Sequence, residues 1–129
     1  ITMDPISNML VSIKNAQAVN HETVKIPYSN LKFEIAKILE RLNFIDKVEK
    51  GGKNPKRYLE IYLKYDEDGK GMISSLKRIS KPGQRIYMDY TKLRIRPRIY
   101  QIVSTSKGLM IDREAKKNKL GGEILFEIR

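Results

Sequence analysis

The chain has 129 residues, 40% of them hydrophobic and 32% charged, which suits one modest core or two small ones and argues against disorder. It has no cysteine, which excludes disulfides, thiolate nucleophiles and cysteine-ligated zinc, and its single histidine, His21, lies in a polar stretch and is assigned no role. The net charge of +11 draws in polyanions, and it is uneven: residues 1–68 hold 11 Lys or Arg against 10 Asp or Glu, residues 69–129 hold 15 against 5.

Asp4 followed by Pro5 predicts a helix start, because the carboxylate accepts the orphan N–H groups of the first turn and proline has none to lose. Ile6, Met9, Leu10, Ile13 and Ala16 continue at helical spacing to about Val19. Val24, Ile26 and Tyr28 alternate as in a strand that Pro27 confines to a sheet edge. Ser29 then caps a second helix with a stripe of Leu31, Ile35, Ile38, Leu39 and Leu42. Phe44–Val48 and Tyr58–Tyr65 read as a hairpin joined through Gly51-Gly52-Lys53-Asn54-Pro55, with Leu59, Ile61, Leu63 and Tyr65 on one face. The polar run Asp66–Gly71 reads as a linker between two domains, 1–68 and 69–129.

In the second half, residues 72–79 are read as a strand, although Met72, Ile73, Leu76 and Ile79 also fit one face of a helix. Lys81-Pro82-Gly83 makes a turn before a short strand, Arg85–Met88. Ile99–Val103 and Leu109–Ile111 are strands on either side of Ser104-Thr105-Ser106-Lys107-Gly108. Asp112 is placed to cap a short helix through Lys119, Gly121 suits its left-handed end, and Glu123–Ile128 alternates as a closing strand. The expected class is α+β, a helix-strand-helix-hairpin domain followed by a mostly β domain with one short helix. The apolar runs are short and the amino end lacks a basic flank before an apolar stretch, so neither a membrane span nor a signal peptide is expected.

Two features carry chemistry. Lys77, Arg78, Lys81, Arg85, Lys92, Arg94, Arg96 and Arg98, opposed only by Asp89, form a stripe able to neutralise phosphates and release their counterions. Tyr87, Tyr90 and Tyr100 are interleaved and supply rings on which unpaired bases can stack. The second feature is Ser104-Thr105-Ser106-Lys107-Gly108. Hydroxyls that donate and accept suit the shallow minor groove of RNA with its 2′-hydroxyls, and the lysine suits a nearby phosphate. Read instead as the Ser-x-x-Lys nucleophile of penicillin-binding enzymes, the segment lacks its companion Ser-Asp-Asn and Lys-Thr-Gly motifs, so no enzyme is expected. Gly52-Lys53 and Gly69-Lys70 lack the spacing of a phosphate loop, and Asp66-Glu67-Asp68 lacks that of a calcium loop. No metal or cofactor is expected.

Taken in order, Asp4-Pro5-Ile6, Ile79-Ser80-Lys81-Pro82-Gly83 with Arg85-Ile86-Tyr87, Val103-Ser104-Thr105-Ser106-Lys107-Gly108, Asp112-Arg113-Glu114-Ala115 and Leu120-Gly121-Gly122-Glu123-Ile124 resemble the bacterial small-subunit ribosomal protein eight family along essentially the whole chain. The carboxy-terminal motifs are the most specific; the amino-terminal half matches mainly in pattern. The resemblance implies two tightly associated domains, the second holding a distorted helix in the central domain of small-subunit ribosomal RNA and helping to assemble the platform. It further implies small-subunit proteins five and twelve as neighbours, the chain's own operon messenger as a second RNA target, and a place in cytoplasmic ribosomes of bacterial type, with an organelle ribosome as the alternative. Carried onto matching positions, Ser104, Thr105, Ser106, Lys107 and Glu123 would lie against the RNA core, Tyr87, Lys81 and Arg85 would flank them, and Lys14, Asn15 and Lys32 would touch a separate RNA segment. The chain departs from the family in having Pro97-Arg98-Ile99 where Gly-x-Gly is usual, and Asn30 where a basic or small residue is usual; Arg94, Arg96 and Arg98 are read as compensating by charge.

Overall fold

Asp4 begins the first helix as expected: its carboxylate accepts from the Ile6 N–H at 3.2 Å and from the Ser7 hydroxyl at 3.0 Å. The computed structural model describes residues 4–129, and their contacts divide into two units, one up to Ile73 and one of Ser74–Arg129. In the first, α1 (Pro5–Ala18) buries Ile6, Met9, Leu10, Ile13 and Ala16, and α2 (Asn30–Arg41) is capped by Ser29, whose hydroxyl accepts from the Lys32 N–H at 3.1 Å. Strands β1 (Thr23–Pro27), β2 (Ile45–Gly51) and β3 (Tyr58–Leu63) form an antiparallel sheet with β3 in the middle, so Pro27 does sit on an edge. Leu59, Ile61 and Leu63 are sealed on one face, each burial contributing about 1.5–3 kcal/mol, while Tyr58, Glu60 and Tyr62 face the other way.

Two expectations change here. Leu31 is 39% exposed and Leu42 only half-buried: both share the angular face of Ile35, Ile38 and Leu39 but stand at the two ends of α2, beyond its sealed middle. The β3 strand stops at Leu63, and Tyr65 pairs with Gly71 in an isolated bridge. Between them, Asp66–Gly71 is a closed turn: one Asp66 carboxylate oxygen accepts from the Asp68 and Lys70 N–H groups at 2.9 and 2.8 Å. Past it, the Gln17 amide donates to the Ile73 carbonyl at 2.7 Å and accepts from the Ile73 N–H at 3.3 Å, tying Ile73 to α1.

The second unit follows β4 (Leu76–Arg78), β5 (Tyr87–Met88), a 3-10 turn (Tyr90–Lys92), β6 (Tyr100–Thr105), β7 (Gly108–Ile111), α3 (Asp112–Lys117) and β8 (Gly122–Ile128). Its sheet runs β4-β8-β6-β7, with β5 also pairing with β8. Leu93, Val103, Ala115 and Ile124 form a core against which Ile79, Met88, Tyr90 and Met110 pack. The strand expected over residues 72–79 is reduced to Leu76–Arg78.

Around α3 two roles are reassigned. Ile111 occupies the capping position and Asp112 is the first helical residue, 1% exposed, accepting from its neighbour's N–H at 2.9 Å. The left-handed residue that ends the helix is Lys119 (φ 55), not Gly121. Gly121 is needed for closeness instead: a Cβ there would stand 2.5 Å from the Met88 carbonyl oxygen. Gly122 is equally constrained by the Ser104 backbone on the neighbouring strand, so the double glycine lets β8 fit between β5 and β6. Among the described residues, no helix is long and apolar enough to cross a membrane.

Candidate nucleic-acid interface

Residues paired across neighbouring strands present their side chains on the same face. Tyr87 pairs with Glu123, Glu123 with Ser104, and Ser104 with Leu109, so three of the predicted site residues stand in one row across β5, β8 and β6. Tyr87 is 67% exposed, an open ring at the end of that row. Arg85 donates to the Glu123 carboxylate at 3.1 Å; with the arginine 54% and the glutamate 13% exposed, the pair is worth at most about 1 kcal/mol and leaves the guanidinium free to exchange partners.

The hydroxyl segment is a two-residue hairpin: Thr105 pairs with Gly108, whose φ of +111 favours glycine, and Ser106 and Lys107 form its exposed tip. The Thr105 hydroxyl donates to the Gly108 carbonyl at 2.8 Å and accepts from the Lys107 N–H at 3.1 Å. Its proton is therefore committed to the turn, and a single acceptor lone pair remains for a ligand. Ser-x-x-Lys thus lies on a strand and a hairpin rather than on a helix, which removes the enzyme-like arrangement.

Lys81 belongs to a type II turn, Lys81-Pro82-Gly83-Gln84, closed by the Gln84 N–H on the Lys81 carbonyl at 2.9 Å with Gly83 at φ 87. What holds this turn is Ser80, which the sequence reading passed over. Fully buried, its hydroxyl accepts from the Ile86 N–H at 2.9 Å and meets the Ile86 carbonyl at 3.3 Å, so the segment carrying Lys81 and Arg85 is pinned at both ends. The signal was a small polar residue between Ile79 and the Lys-Pro-Gly turn.

The basic stripe is only partly open. Arg94 and Lys92 are exposed, Arg96 is paired with Glu127, and Arg78 donates to the Leu125 carbonyl. Two of the three expected stacking rings are occupied by the protein itself: Tyr90 packs against the core, and the Arg113 guanidinium lies 4.1 Å over the Tyr100 ring. Arg113 also donates to the carbonyls of Arg96 (2.7 Å) and Ile99 (3.1 Å), and Lys116 to that of Leu93 (2.8 Å). Helix α3 therefore braces the arginine-bearing loop from behind, a role the sequence reading missed because nothing local marks it. In that loop Arg98 takes φ 64 at the third position of the turn Arg96–Ile99, a place that favours glycine.

Burial raises the Asp112 carboxyl above its ordinary 3.8, against the opposing pull of the Arg113 charge and of hydrogen bonds from Arg113 and Gln101. In the first unit Lys14 and Asn15 are exposed on α1, while the Lys32 ammonium reaches the Pro27 carbonyl at 3.5 Å. Asn30 accepts from the Tyr28 hydroxyl at 2.7 Å.

Cations and a hydroxyl-bearing hairpin held on glycine-shaped turns have the chemistry that an RNA surface calls for. Residues 4–128 match the family described as Ribosomal protein S8. The small ribosomal subunit protein uS8 of Lysinibacillus sphaericus is 43% identical over 127 residues, covering 95% of this chain and 94% of that protein. The uS8 protein of Natranaerobius thermophilus is 46% identical over 130 residues, covering 97% and 96%. The chain belongs to the ribosomal protein S8 family, which is structural and not enzymatic.

Proposed function

We propose that this chain is a constituent of the small ribosomal subunit that binds the central domain of its RNA directly and helps to assemble the platform. The observation that carries this reading is the single row of Tyr87, Glu123 and Ser104, with Arg85 beside it and the Ser106-Lys107 tip next to it in the chain. Glu123 can only accept, and so suits 2′-hydroxyls and base amino groups. Ser104 and Ser106 can donate or accept, while Lys81, Arg85 and Lys107 supply charge for phosphates. Affinity then comes mainly from the cations and discrimination from the hydroxyl row and the hairpin.

Lys14, Asn15 and Lys32 contact a second RNA segment in this reading. Small-subunit proteins five and twelve are its neighbours, its own operon messenger is a further RNA target, and the cytoplasmic ribosome is its location. The division of labour between residues 1–68 and 69–129 supports the same picture, since the charge excess lies in the latter.

The test is binding to a short transcript of the central-domain RNA helix across a salt series, with random RNA as competitor. Specific binding should survive the competitor, and its logarithm should fall linearly with log salt. Replacing Arg94, Arg96 and Arg98 together with Gln should flatten that slope by roughly 0.9 for each phosphate no longer neutralised. Binding no tighter than to random RNA sinks the proposal.

A further inference from the structure

The near-neutral balance of residues 1–68 conceals a segregation. Segments 28–33 and 50–58 contain Lys32, Lys50, Lys53, Lys56 and Arg57 and no acidic residue. Folding brings both to one end of the first unit: Pro27 pairs with Tyr58 and Tyr58 with Gly51, so the end of β1, the end of β2 and the start of β3 share one row. The Tyr28 N–H donates to the Arg57 carbonyl at 3.2 Å, joining the two segments directly.

At their junction the cations gather on rings. The Arg57 guanidinium lies 4.0 Å over the Tyr28 ring, while the Lys50 ammonium is 5.6 Å from that ring and 4.4 Å from the Phe33 ring. Such contacts hold like charges together without neutralising them. Elsewhere in the unit cations do meet carboxylates: Lys47 pairs with Glu49 at 2.9 Å and Lys37 with Glu40 at 3.3 Å. The Tyr28 end has rings in the place of those acids, and its charge remains available to an external anion.

We propose that Lys50 and Arg57, held on Tyr28, together with Lys53 and Lys56 on the turn between β2 and β3, form a binding site for the phosphodiester backbone of RNA, outside the segment held by the hydroxyl hairpin. The inference rests on the ribosomal RNA reading above and adds a surface to it. Guanidinium forks match phosphate oxygens, and several cations spread over a turn fit a chain of phosphates better than one ion. Because Arg57 and Lys50 already cover the Tyr28 ring, the ring positions cations and does not stack bases, so the site reads charge and not sequence.

The experiment compares two RNAs, the isolated central-domain helix and a transcript of the whole central domain, against the wild-type chain, a Lys50→Gln/Lys53→Gln/Lys56→Gln/Arg57→Gln variant, and Tyr28→Leu. The quadruple variant should bind the isolated helix within about twofold of wild type. On the whole domain it should lose roughly tenfold in affinity at about 0.1 M salt and show a shallower salt slope. Tyr28→Leu, which keeps every charge, should lose affinity for the whole domain alone and by a smaller factor. Equal behaviour of wild type and quadruple variant on the whole domain, with the isolated helix still bound, overturns this site and leaves the ribosomal reading standing. Failure of wild type on both RNAs overturns both.

Discussion

Ser104 and Glu123 stand directly opposite one another on neighbouring strands, and the backbone of Ser104 leaves no room for a side chain on Gly122, the residue before Glu123. The hydroxyl and the carboxylate are thus set side by side by a glycine that neither could do without. Replacing Gly122 with Ala should cost at least about 2 kcal/mol through overpacking, and Gly121→Ala a comparable amount against the Met88 carbonyl. Urea unfolding would measure both; a loss under about 0.5 kcal/mol for Gly122→Ala would mean that the strands separate freely.

Thr105 and Ser106 are neighbours with different duties. Thr105→Ala removes the two side-chain hydrogen bonds that brace the hairpin turn and should lower stability by about 1 kcal/mol, whereas Ser106→Ala at the exposed tip should change it by less than about 0.5 kcal/mol. Each should weaken binding to the cognate helix more than to random duplex, as gel-shift titrations would record. Equal losses on both RNAs would count against discrimination by the hairpin.

Arg98 adopts a backbone conformation that costs an ordinary residue about 1–2 kcal/mol. Arg98→Gly relieves that cost, less the extra chain entropy of glycine, and should raise stability by about 0.5–1 kcal/mol. The same change removes a cation and should reduce affinity for any RNA. A thermal melt and a salt titration on one preparation would check both halves.

Asp112 should leave a pH signature. Its folded-state pKa is raised by burial, so the stability it contributes is fully present below the ordinary value of 3.8 and is lost as pH rises through the raised value. Relative to wild type, Asp112→Asn should therefore gain stability as pH climbs through that window and hold a constant difference at neutral pH. Carbon-detected NMR titration of the wild type should find Asp112 among the last aspartates to ionise; a midpoint below 3.8 would contradict burial as the dominant cause.

The chain's sequence was sufficient, by itself, for what depends on near neighbours in the chain. The caps at Asp4 and Ser29, the buried faces of α1 and β3, the Lys81–Gln84 turn and the family motifs all act over a few residues, and helix and strand periods expose them. Even there Leu31 and Asp112 were misjudged, because where a short helix begins and how far along it the packing reaches are set by its neighbours in the fold.

Tertiary structure alone decided the rest. The pairing of Tyr87 with Glu123 and of Glu123 with Ser104, the bracing of the Arg94–Arg98 loop by Arg113 and Lys116, and the gathering of Lys50 and Arg57 on Tyr28 join residues many positions apart. Strand register and the reach of long cationic side chains are set by the packing of the whole unit, so composition announced a polyanion partner while the fold chose which charges and hydroxyls meet it.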